Sequence, residues 1–278
     1  MSVPEIFDRN ARRLRRNRIA GAQEDDFLRA MMIDGLADRL DAVTRSFSDA
    51  LEIGCGRPLF PFPPGMAVTR IDPGDRLAAE AGGIAMEEDR LSLGEGRFDL
   101  IVSAGLIDQV SDLPGALTLI RRALRPDGLF LAAFAGAGSL STLKAALLQA
   151  EADRPAARVH PQIDVRSAGD LLMRAGFALP VADVEPLTVR YGSIAGLFRD
   201  LRAMAATNLM VGRTPLSRAV LGRAASAFSD MADPDGRTAE RFDIVYLTGW
   251  APDESQPKPA RRGSATASLL DALKPPRG

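Results

Sequence analysis

From residue 50 onward, short apolar runs alternate with longer segments whose apolar residues recur every three or four positions. The runs predict strands at 50–53, 67–71, 83–86, 98–103 and 128–134. Strands alternating with helices imply an α/β fold, a mostly parallel sheet covered on both faces. Ahead of it, residues 23–43 place Phe27, Leu28, Met31, Met32, Leu36 and Leu40 at helical spacing, as core contacts. Residues 1–20 form an arginine-rich helix, expected to pack Phe7, Leu14 and Ile19 on the domain and to leave its arginines in solvent. The helix before the fifth strand is capped by Asp112, carries Pro114 in its first turn, buries Ala116, Leu117, Ile120 and Leu124, and stops at Pro126-Asp127-Gly128. Further on, 139–150 is amphipathic through Leu140, Leu143, Leu147 and Leu148. Ser167 and Asp170 suggest a capping box for a helix at 168–175 that Gly176 ends.

A strand near 178–184 follows, then a helical stretch, 192–231, with Ile194, Leu197, Phe198 and Leu201 on one face. The last strand is expected at 242–250. The organisation is thus an N-terminal helical segment (1–45), an α/β domain (46–250) with a helical insertion at about 187–231, and a tail (251–278). The proline-rich tail is irregular apart from a short helical turn at 269–273.

The chemistry concentrates at Leu51-Glu52-Ile53-Gly54-Cys55-Gly56, followed by Ile71-Asp72. A buried strand, a glycine turn and a second strand ending in a carboxylate suit an adenosine-type ligand. Glycines admit its close approach, and the acid accepts hydrogen bonds from a ribose diol. Asp72 also opens Asp72-Pro73-Gly74-Asp75, a turn composition in its own right. Leu59 replaces the third glycine of a dinucleotide site, which disfavours a nicotinamide enzyme. Arg57 through Pro64 holds four prolines and cannot continue a helix, so the positive helix end that normally faces such a ligand is missing; Arg57 is a candidate replacement. Cys55 reads as a small filler of the turn. Glu87 and its neighbour Glu88 compete as an adenine-side acid, or belong to a solvated acidic run.

Composition narrows the classes. A net charge of −1 argues against a chain-wide nucleic-acid surface, which leaves the basic N-terminal helix, with at most peripheral contact to anionic lipid. One cysteine excludes an intrachain disulfide, and one histidine, His160, excludes a two-histidine iron site within one chain. No apolar run reaches membrane-spanning length, and a reducing cytoplasm is the expected location.

The order of these pieces resembles a class I S-adenosylmethionine-dependent methyltransferase. Phe98-Asp99-Leu100-Ile101-Val102-Ser103 looks like that fold's fourth strand, and Ile120 through Gly128 like the helix leading to its fifth. Over nearly its whole length the chain resembles the methyltransferase-like complex I assembly factor family. The likeness rests on Ile6-Phe7-Asp8-Arg9, Val110-Ser111-Asp112-Leu113-Pro114, Leu171 through Phe177, Gly249-Trp250, and the tail from Glu254 to Pro259 and Arg262 to Thr266. Bacterial relatives are similar to the biotin-pathway carrier-protein methyltransferase.

The resemblance implies a Rossmann-like sheet with an antiparallel last strand. It implies S-adenosyl-L-methionine as cofactor, held by Glu52, Gly54, Cys55, Gly56, Asp72, Glu87 and Ser103, with Asp108 either the catalytic carboxylate or a residue that caps or turns a surface loop. The protein substrate implied is a quinone-module subunit of respiratory complex I or an acyl carrier protein. Asp108-Gln109 stands where the family usually has a His-Trp pair, which weakens the transfer of mechanism. Three activities follow: methyl transfer, a non-catalytic assembly scaffold with a degenerate pocket, and arginine hydroxylation, with which the family's eukaryotic members are associated.

Overall fold

A computed structural model describes residues 4–21 and 26–257. Two N-terminal helices, α1 (Arg9–Ile19) and α2 (Phe27–Asp41), precede the sheet. Its strands are β1 (Asp49–Ile53), β2 (Ala67–Asp72), β3 (Ile84–Ala85), β4 (Phe98–Ala104), β5 (Leu124–Ala135), β6 (Ala178–Tyr191) and β7 (Thr238–Trp250). They lie in the order β3-β2-β1-β4-β5-β7-β6. Pairing is parallel from β3 to β5, whereas β7 runs antiparallel to both β5 and β6. In register, Ile53 faces Ile71 on one side and Ser103 on the other. The ends of β1, β2 and β4 are therefore level. Strand order reverses between β1 and β4, where open α/β sheets form their ligand crevice.

The remaining helices are α3 (Asp75–Glu80), α4 (Leu113–Ala123), α5 (Ser141–Ala150), α6 (Val165–Arg174), α7 (Ile194–Ala203) and α8 (Arg218–Asp230). Successive strand residues point to opposite faces. Leu100, Val102, Leu129 and Leu131 join α2, α5, α7 and α8 in one core, whereas Ile101, Phe130, Phe134 and Leu172 join α4 and α6 in the other.

Several expectations change. Leu14 is exposed, whereas Arg12 and Arg16 are buried, so α1 turns an arginine face inward. Ser167 does not cap α6. The Asp164 carboxylate accepts from its backbone amide at 2.9 Å and its hydroxyl at 2.7 Å, which starts the helix three residues earlier. Helix α4 ends at Ala123, ahead of the Pro126-Asp127-Gly128 stop, because Leu124 already pairs with Phe98. Pairing between β6 and β7 runs on to Tyr191 and Thr238, so the helical insertion occupies 192–237. The short α3 had no apolar stripe long enough to announce it. Residues 54–66 contain no helix, as the prolines dictate. The helical turn expected at 269–273 lies outside the described residues.

Candidate functional site

Gly54 adopts φ +93°, a left-handed conformation that favours glycine, and lets the chain turn off the end of β1. The turn brings the Cys55 amide to 2.9 Å from an Asp72 carboxylate oxygen, while the other oxygen accepts from the Gly74 amide at 2.7 Å. Asp72 is thus both the end of β2 and the organiser of the turn that follows. Glu52, Cys55, Asp72 and Ser103 are all buried around this point. Burial, with Asp72 and Glu52 adding to it, pushes the Cys55 thiol up to about 12, so it is a filler and not a nucleophile.

Each buried carboxylate here is met by an arginine from the N-terminal helices. Arg16 donates to Asp72 at 2.6 and 3.3 Å and also to the Cys55 carbonyl. Arg12 makes a bidentate pair with Glu88, both bonds 2.9 Å, and adds one to the Leu106 carbonyl at 3.1 Å. Arg29 of α2 donates to Glu52 at 2.9 Å, to the Ala104 carbonyl at 2.8 Å and to the Pro58 carbonyl at 2.8 Å. Arg70 holds the second oxygen of Glu52 at 3.0 Å, and the Phe60 amide donates to the first at 3.1 Å. The arginines and acids of these three pairs are at most 4% exposed. A planar guanidinium suits this task, since its fork satisfies two carboxylate oxygens at once.

The spacing of 12 and 16 puts both arginines on one face of α1, and Arg9 extends the row to Glu87 and Asp89. Glu87 is therefore engaged at the rim and Glu88 in the interior. Arg57 pairs with Glu80 and also lines the smallest void beside Arg16 and Arg29.

S-adenosylmethionine does not fit the crevice in this arrangement. Its ribose acceptor, Asp72, and the acids at Glu52 and Glu88 already have cationic partners. The proline-rich connection folds in as well, with Phe60 buried. A Cβ added at Gly56 would lie 2.9 Å from Cδ and Nε of Arg29, so this glycine admits an arginine where a cofactor was expected. The voids left beside Arg16 and Arg29 are about 50 and 20 Å³. A small-molecule site takes about 300–1,000 Å³.

The open space lies next door. A cavity of about 770 Å³ sits beyond the ends of β4 and β5, roofed by α7 and the 205–217 segment. Asp108 and Gln109 line both this cavity and the smaller void near Arg29. Asp108 Oδ1 and Gln109 Oε1 are buried with no hydrogen-bond partner among the described residues, as is Ser103 Oγ. Burial pushes Asp108 up to about 6. His160, on the same wall, accepts from the Leu209 amide at 2.8 Å through Nε2 and stands edge-on to Phe7. Burial, with Arg15 adding to it, pushes His160 down to about 4, so it is neutral near pH 7. No group of three or more His, Cys, Asp or Glu able to hold a metal occurs among the described residues. Nor is any described helix long and apolar enough to cross a membrane.

Of the residues anticipated from sequence, Glu52, Gly54, Cys55, Gly56, Asp72 and Ser103 converge on one crevice, with Glu87 at its rim and Asp108 at the neighbouring cavity. Arg12, Arg16 and Arg29 were missed. Their spacing on the N-terminal helices was the available signal, but only the fold shows which acids they meet.

Comparison with known proteins agrees with this architecture. The methyltransferase domain family matches residues 23–180. The arginine-hydroxylase NDUFAF5, mitochondrial, of Danio rerio is 32% identical over 290 residues, covering 97% of this chain and 90% of that protein. The Homo sapiens protein of the same name is 32% identical, covering 98% and 86%. A malonyl-[acyl-carrier protein] O-methyltransferase of Laribacter hongkongensis is 33% identical over 182 residues, 64% of this chain and 59% of that one. Among solved structures, the YcgJ protein of Bacillus subtilis shares the fold at 12% identity, with a TM-score of 0.55 over 79% of this chain and 99% of that one. Domain match and near full-length similarity together place the chain in the methyltransferase domain family and, within it, in the family of the NDUFAF5 proteins.

Proposed function

We propose that this protein is an assembly factor of the complex I type that acts on a protein client, with the inherited cofactor crevice converted into a structural joint. The observation that carries this reading is the set of three buried pairs, Arg12–Glu88, Arg16–Asp72 and Arg29–Glu52, standing where an adenosyl ligand would sit. The client is a quinone-module subunit of respiratory complex I, with an acyl carrier protein as the rival suggested by the carrier-protein methyltransferase relatives. A single buried cysteine suits a reducing cytoplasm.

Titration calorimetry with S-adenosylmethionine and its demethylated product tests the reading. No heat at high micromolar ligand supports the joint. Saturable binding that is lost in Asp72→Ala overturns it.

A second reading, methyl transfer to the same client, is favoured by the unpartnered Ser103 Oγ and Asp108 Oδ1 beside the crevice. On it, Glu52, Gly54, Cys55, Gly56, Asp72, Glu87 and Ser103 hold the cofactor and Asp108 is the carboxylate facing the acceptor. That requires α1 to withdraw its arginines. Incubation with a client peptide separates the activities by mass: a gain of one methyl group, a gain of one oxygen as in the NDUFAF5 hydroxylases, or no change.

A further inference from the structure

The large cavity has a charge pattern that the crevice does not explain. Its walls are apolar through Leu143, Leu147, Phe198, Leu201 and Phe242, and it takes four arginines into its lining, Arg15, Arg158, Arg202 and Arg213, against one carboxylate, Asp108. Two of the four are neutralised: Arg158 pairs with Glu151 at 2.5 Å and Arg213 with Asp8 at 2.8 Å. The other two are not. Among the described residues, Arg15 donates only to the backbone carbonyls of Thr207 and Asn208, which are neutral. Arg202 forms no ion pair among the described residues and is exposed at the rim.

This cavity is held open by chain that has been tied down. Phe7 bridges to Met210, the Asp8 amide donates to the Leu209 carbonyl at 2.8 Å, and the Val211 amide donates to the Ile6 carbonyl at 3.0 Å. These bonds stitch the start of α1 to the insertion and place Arg15 beside the roof. An uncharged His160 and an Arg15 whose affinity for its proton is lowered by burial and by Arg213 agree with a positive potential there. Apolar walls gain from covering a hydrocarbon chain, and two unneutralised guanidiniums gain from an anion.

We propose that this cavity is a binding site for a single-chain amphiphile with an anionic head, its chain along α5 and α7 and its carboxylate or phosphate beside Arg15 and Arg202. The site lies beside the arginine-filled crevice, shares Asp108 and Gln109 with the void next to Arg29, and takes Arg15 from α1, so it rests on the reading in which α1 stays docked.

The test is calorimetry on the full chain with dodecanoate, dodecyl phosphate, dodecanol and dodecyltrimethylammonium, each below its micelle concentration. Dodecanoate or dodecyl phosphate is expected to bind one to one with a dissociation constant on the order of 10 µM, at least about tenfold tighter than dodecanol. Preference for the phosphate assigns a lipid phosphate as the natural head, and preference for the carboxylate assigns a fatty acid. Arg202→Glu is expected to weaken the anion about tenfold and to leave dodecanol unchanged. Ala206→Trp, which fills the interior, is expected to abolish binding. If that variant fails to fold by circular dichroism, Leu221→Trp, at a partly exposed position of the lining, replaces it. Dodecanol or the ammonium binding as tightly as the anions overturns the proposal. So does anion binding weaker than about 1 mM, or binding that survives in a folded tryptophan variant.

Discussion

Along the edge where the parallel strands end, the two halves of the sheet are covered by opposite means. Over β1, β2 and β4 the covering elements are charged, and α1 and α2 insert guanidiniums that use up the carboxylates and leave voids no larger than about 50 Å³. Beyond the end of β5 the walls are mainly apolar, with four arginines in the lining, and they leave a cavity of about 770 Å³. The difference follows from what each type of contact demands. A buried ion pair must be closed by direct bonds, because any remaining gap leaves a charge uncompensated. An apolar roof tolerates an empty space, whose cost is lost dispersion contact.

Breaking the charged half should have the largest effect. Arg16→Ala leaves Asp72 buried without its cationic partner and is expected to cost about 3–5 kcal/mol in urea unfolding. The double variant Arg16→Met with Asp72→Leu should recover only part of that loss, because the Cys55 and Gly74 amides then lose their acceptor. If Arg16→Ala proves nearly neutral, the pair is not holding the crevice shut.

On the apolar side, Leu201→Ala removes part of a wall that already faces open space. It is expected to cost about 2–3 kcal/mol, the low end for a buried leucine. Next comes Gly56→Ala, where the new methyl crowds the stem of Arg29. About 1–2 kcal/mol is expected by thermal unfolding, because a flexible arginine stem can give way by a few tenths of an ångström.

The smallest effects are pH slopes of opposite sign on the cavity wall. Asp108 is raised from 3.8 to about 6, so its contribution to stability is full below its unfolded value and fades as pH rises through about 6. His160 is lowered from 6.5 to about 4, so its contribution is full above about pH 6.5 and is lost as pH falls through about 4. In the wild type the two trends oppose each other between about pH 4 and 6. Asp108→Asn should gain stability near pH 7 and expose the histidine's slope. His160→Gln should flatten the acid side and expose the carboxylate's slope. Melting temperatures measured across that range check both, and parallel profiles for the two variants would refute the assignment.

Legibility in the sequence tracked the range of the interaction. Asp112 was readable as the cap of α4 because its partner, the Gly115 amide, is three residues away. Asp164 was overlooked in favour of Ser167 because both residues can cap and only the backbone geometry chooses between them. Glu52, Asp72 and the Glu87-Glu88 pair were recognisable as acids at strand ends. Their partners were not, since Arg16 lies 56 residues from Asp72 and Arg12 lies 76 from Glu88. An arginine-rich helix read alone looks solvated, because charged side chains are seldom buried unless paired.

The sequence by itself determined the alternation of strand and helix, the glycine turn after β1 and the absence of a helix through the prolines, because these depend on periodicity and on backbone freedom within a few residues. Only the tertiary structure decided that the arginines of α1 and α2 face inward and occupy the crevice, and that the open volume lies under the insertion. Charge pairing and cavity shape are set by elements that approach one another in space after long excursions of the chain, and no local pattern encodes that approach.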